Sequence, residues 1–128
     1  TKPSPNAPKN TGYSKAGKDN KKVVKALLKV VIDDIEYEIS TLIDYVDSLK
    51  NEVSRLSKVE KYINKMNSTK SQNKKNYYEQ YANLLLEKGE SIEKFDDIYK
   101  EVKNSYQIKK QDLNNLYKEI KEIKRLHV

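Results

Sequence analysis

Two long runs of apolar residues, stepping alternately by three and four, constrain this chain more than any other feature. The first is Leu28, Ile32, Ile35, Ile39, Leu42, Val46, Leu49, Val53 and Leu56. The second is Ile92, Phe95, Tyr99, Val102 and Tyr106, then, after Lys109 breaks the pattern, Leu113, Leu116, Ile120 and Ile123. A repeat averaging ~3.5 residues keeps one narrow stripe turned toward a partner helix along its whole length. The runs therefore predict an all-α chain whose helices pair along seams.

Composition fits a paired-helix design better than a globule. Of the 128 residues 36% are hydrophobic and 35% charged, and the mean hydropathy is −0.95. A helix that buries only a seam needs few apolar residues per turn. Such polarity also suits disorder, but sustained heptads from residue 22 onward argue against it. The absence of cysteine excludes disulfides, cysteine zinc sites and thiol chemistry. No apolar run approaches the ~20 residues of a membrane span; the longest, Val23 to Ile32, is interrupted by Lys25 and Lys29. No signal-peptide pattern opens the sequence, so a place inside a cell or a particle is expected.

The first 21 residues differ from the rest. They hold all three prolines (Pro3, Pro5, Pro8) and two of the three glycines. They read as a basic, irregular N-terminal arm. Residues 1–25 carry seven lysines and one acid, so +6 of the net charge of +7 precedes Ala26. Residues 22–128 read as a helical hairpin, with a helix over 22–66 and a turn over 67–71 (Asn-Ser-Thr-Lys-Ser). A second helix follows over 72–127, with a kink or break at Gly89. In a hairpin folded at 67–71, residue i lies beside about 138 − i, which sets Ile32 near Tyr106 and Val46 near Ile92. The expected fold is thus a long antiparallel helical hairpin or coiled coil.

The seam residues expected to make the helix interface are Leu28, Ile32, Ile35, Ile39, Leu42, Val46, Leu49, Ile92, Phe95, Tyr99, Val102, Leu113, Leu116 and Ile120. Lys18, Lys22, Lys25 and Lys29 share one helix face. Together with Lys15 and Lys21 they form the candidate site for a polyanion or an acidic partner. A basic amphipathic helix also suits an anionic membrane, but the low aromatic content nearby ranks that partner below nucleic acid. Residues 33–48 hold six acids and no lysine or arginine. In the expected register they face another acidic stretch, 90–105, which calls for a basic partner such as the arm. Tyr77, Tyr78 and Tyr81, close to the turn, form a candidate docking cluster, since aromatic groups anchor many interfaces.

No catalytic constellation is legible: no phosphate-binding loop, no nucleophile with a base in reach, and one histidine, His127. No metal or cofactor is expected. The sequence points to a non-catalytic structural subunit that joins protein partners in a larger assembly, such as a virion, a secretion machine or a ribonucleoprotein. The alternative is a nucleic-acid-associated protein that binds without sequence preference through its arm and the Lys18–Lys29 face.

Overall fold

A computed structural model describes the backbone of residues 9–127 and the side chains of residues 20–126. The described residues form three helices and no strand: α1, Lys9–Ser68; α2, Gln72–Leu85; and α3, Phe95–His127. The helix α1 begins at Lys9, well before the expected start at residue 22. All three prolines lie at or before position 8, so no residue from Lys9 on lacks an amide hydrogen for the helical ladder. Residues 1–8 of the expected arm lie outside the described residues.

The chain divides into two compact units, residues 1–39 with 115–128, and residues 40–114. In the second unit α1 ends at Ser68 and the chain turns over 69–71. Ser71 then caps α2: its backbone is extended and its side chain accepts from the Lys74 amide. This satisfies one of the orphan donors at a helix start. Tyr62 of α1 stacks on Tyr81 of α2 at 5.3 Å and lies 6.3 Å from Tyr78, so α2 folds back along α1. Leu56, Val59, Ala82 and Phe95 form the core of this unit, and Leu85, Leu86, Ile92, Ile98, Tyr99 and Val102 pack around it. Val46 and Leu49 are buried as well.

The second helical run is interrupted, and the interruption corrects the expected pairing. Residues 86–94 leave the helix altogether. Leu86 ends α2 in an extended conformation. Of the two expectations for Gly89, the break holds and the kink does not, and the break spans residues 86–94. Gly89 sits at φ +87° inside a tight turn closed by the Glu90 amide donating to the Glu87 carbonyl at 3.0 Å. This left-handed geometry suits glycine, which has no Cβ to clash. Ser91 then receives the Lys94 amide, opening α3. Phe95, expected across from about residue 43, packs instead with Leu56 and Val59. Ile92, expected beside Val46, joins the same cluster. The chain leaves α1 near Arg55, where Leu85 sits, and returns near Leu56, so the connector consumes sequence without advancing along the helix.

Among the described residues of the first unit, Ile32, Ile35 and Ile39 of α1 and Ile120 of α3 are the buried apolar residues. The Lys124 ammonium lies 3.6 Å from the Glu36 carboxylate; the expected register sets Glu36 near residue 102. The start of the acidic block thus stands beside the lysine-bearing end of α3, and it has a basic partner within the chain itself.

The residues of the two apolar runs lie at buried or half-buried positions. Of the first run, Ile32, Ile35, Ile39, Val46, Leu49 and Leu56 are buried, and Leu28, Leu42 and Val53 are half-buried. Of the second, Phe95 and Ile120 are buried, and Ile92, Tyr99, Val102, Leu113 and Leu116 are half-buried. The seam tyrosines are roofed by lysines: Lys103 lies 4.1 Å from the Tyr99 ring centre and Lys110 lies 5.1 Å from that of Tyr106. The ammonium groups favour the electron-rich ring faces and keep them from open water.

Candidate functional site

Three surface features stand apart from the seams, and each is built by local sequence. The first is an ionic clamp on the connector. Arg55 points from α1 and donates twice to the Glu90 carboxylate, at 2.7 and 3.1 Å, and once to the Leu85 carbonyl at 3.0 Å. Capture of that carbonyl accounts for the end of α2, because it takes a group that a longer helix would bond to an amide. Glu90 also accepts the Glu87 amide at 2.7 Å. Glu87 and Glu52 flank the guanidinium at 3.4 and 3.7 Å. The two partner side chains retain only 17% and 16% of their exposure, so the pair is shielded and its bidentate geometry counts. A shallow groove lined by Ser48, Asn51, Glu52, Arg55 and Glu87 opens beside it. Its cation is already taken by Glu90, which leaves no free charge there to hold an anion.

The Arg55 hydrogen bonds hold the Glu90 carboxyl below the usual glutamate range, with the Glu87 amide acting in the same sense. A depressed carboxylate pKa stabilises the fold above the unfolded value of about 4.3, and that contribution is lost as the pH falls through the folded value. The variant Glu90→Gln should therefore melt below the parent at neutral pH. The gap between the two, about 1.5–3 kcal/mol for hydrogen bonds to a charged group, should be widest above about pH 5 and close as the pH falls further. A gap of constant size across that range contradicts the clamp.

The second feature is the tyrosine cluster in the second unit. Tyr77 lies 5.7 Å from Tyr78 and 4.7 Å from Tyr81, while Tyr62 lies beneath Tyr78 and Tyr81. The three residues singled out from the sequence do come together. The fourth ring, Tyr62, comes from the other helix and follows only from the fold-back. Lys65 lies within 6 Å of the Tyr62 and Tyr78 rings, at 5.8 and 5.7 Å. A hydrogen bond with Tyr81 raises the Tyr77 hydroxyl pKa. The cluster is exposed: Tyr77 keeps 53% of its surface. It presents flat apolar rings with hydroxyls at their edges, chemistry suited to a protein surface.

The third feature is the start of α1 in the first unit. Lys21, Lys22, Lys25 and Lys29 are all exposed, and none forms an ion pair among the described residues. Lys15 and Lys18 lie on α1, outside the residues whose side chains are described. Sequence reasoning finds the lysines but misses their setting. Every residue from Asn20 to Leu27 is exposed, valines and leucine included. No family model, curated protein or solved structure gives a significant match to this chain.

Proposed function

We propose that this chain is a non-catalytic structural subunit, a long antiparallel helical hairpin that closes its two heptad seams on each other and joins protein partners through exposed faces. The observation that carries this reading is the contrast between the seams and the Tyr77–Tyr81 cluster. The heptad residues are spent inside the chain, which leaves a preorganised scaffold. The tyrosines are stacked, ordered by contacts with Tyr62, and still half open to solvent. Rigid aromatic groups lose little entropy on docking and anchor interfaces. A photoreactive phenylalanine at position 77 tests the reading in the native cell. A discrete protein adduct should form there, should fail to form from exposed Lys100, and should vanish in the Tyr81→Ala variant. A diffuse, equal yield from both positions contradicts it.

Nucleic-acid association is the second reading. The unpaired lysines of α1 favour a polyanion, and phosphate neutralisation would make affinity fall steeply with salt.

A further inference from the structure

The start of α1 carries an apolar face that the rest of the described chain leaves bare. Followed backward from Leu28, the seam spacing of three and four lands on Lys25 and then Lys21. The seam thus changes from apolar to cationic. The apolar residues do not stop there; they move round the helix. At ~100° per residue, Val23, Val24, Leu27, Val30 and Val31 cluster on an arc turned roughly 100° away from the Leu28–Ile39 stripe. The four lysines lie on the opposite side. Val23 keeps 56% of its surface, Leu27 60% and Val30 56%. Asp34 and Glu38 occupy the same arc beyond Val31 and close it. The pattern is therefore a bounded amphipathic segment of about three turns, apolar on one side and purely cationic on the other, with no acid between Asn20 and Ile32.

We propose that residues 20–31 are an interfacial anchor that lies along an anionic lipid surface, with Val23, Leu27, Val30 and Val31 sunk among the acyl chains and Lys21, Lys22, Lys25 and Lys29 held to the headgroups. Charge complementarity decides the occupant. A nucleic acid would satisfy the lysines and leave the valines in water. A second copy would cover the valines and leave the lysines without counter-charge, while doubling the local positive charge. An anionic lipid surface engages both sides, through apolar burial and through attraction of a polybasic segment. Tyr37, one heptad beyond Val30 and 74% exposed, sits where the apolar arc ends, a favoured place for an aromatic ring at a lipid–water boundary. No described helix is long and apolar enough to cross a membrane, so the segment lies on the surface.

The test sediments the full chain with vesicles of phosphatidylcholine alone, or with about one-third phosphatidylserine. The parent should bind the anionic vesicles and not the neutral ones. A Lys22→Gln, Lys25→Gln, Lys29→Gln variant should lose about 100-fold in affinity. A Val23→Gln, Leu27→Gln, Val30→Gln variant should lose binding as well, with an unchanged thermal melt because these side chains are already exposed. Absence of binding by the parent overturns the proposal, as does full binding by either variant. Two other results also overturn it: capture of a duplex oligonucleotide that depends on the lysines and ignores the apolar triple variant, and a dimer in solution that the apolar variant dissolves while vesicle binding stays intact.

Discussion

A Leu56→Asp variant should lose its cooperative thermal transition. Leu56 is fully buried in the cluster with Val59, Ala82 and Phe95. Arg55, the preceding residue, is already engaged by Glu90. An ionised carboxylate in that setting has no partner, and the penalty is several kcal/mol. The whole stability of a domain is only about 5–15 kcal/mol. Ser57, one residue on, is exposed, and Ser57→Asp should stay within about 0.5 kcal/mol of the parent. Circular dichroism melts of the two variants separate burial from charge: equal melting temperatures would place Leu56 at the surface.

Phe95→Ala should produce the second largest loss, about 3–5 kcal/mol. Phe95 is 3% exposed, lies 5.2 Å from the Tyr99 ring, and is the point where the chain rejoins α1 after the connector. Removing the ring opens a cavity between three helices and unpins the start of α3. Urea unfolding of this variant, of Leu56→Ala and of the double variant forms a cycle. Side chains that touch should couple by at least about 0.5 kcal/mol. Strict additivity would mean that Phe95 sits elsewhere along α1, as an uninterrupted second helix would place it.

Much of the local architecture is legible in the sequence. Heptad spacing marks the residues that become buried, because burial along a paired helix follows the period of the seam and little else. Val59 is the next heptad step after Leu56 and is fully buried too; it extends the first run by one position. Ala82 is fully buried as well, but a methyl group gives no hydrophobic signal of its own and gains its place from Leu56 and Val59 across the helix pair. Gly89 announces a break without announcing its length. The length of the connector depends on Arg55 reaching Leu85 and Glu90 from another helix, a long-range fact. Within the second unit that segment moves Ile92 and Phe95 to Leu56 and Val59. In the first unit Glu36, which an uninterrupted hairpin would set near more acid, stands beside Lys124.

The bare face of α1 is hidden in the sequence for the same reason. Val24, Leu28 and Val31 share a helix face, and nothing in spacing alone separates a covered stripe from an open one. Only the observed burial shows that cover is complete at Ile32, partial at Leu28 and absent from Asn20 to Leu27. The lysines at Lys25 and Lys21 are the legible trace of this change, since they stand where the seam would otherwise demand apolar groups.

The proposed hairpin closes its seams within one chain, and in the first unit the Lys124 side chain of α3 stands beside Glu36 of α1. Zero-length carbodiimide coupling tests this directly, because the Lys124 ammonium and the Glu36 carboxylate are 3.6 Å apart. Mixing isotopically light and heavy protein before coupling distinguishes bonds within one chain from bonds between chains. The expected product is a Lys124–Glu36 isopeptide in monomeric protein with no light–heavy mixing. A Lys124–Glu36 bond found only between light and heavy chains, or Glu36 coupled instead near residue 102, would contradict it.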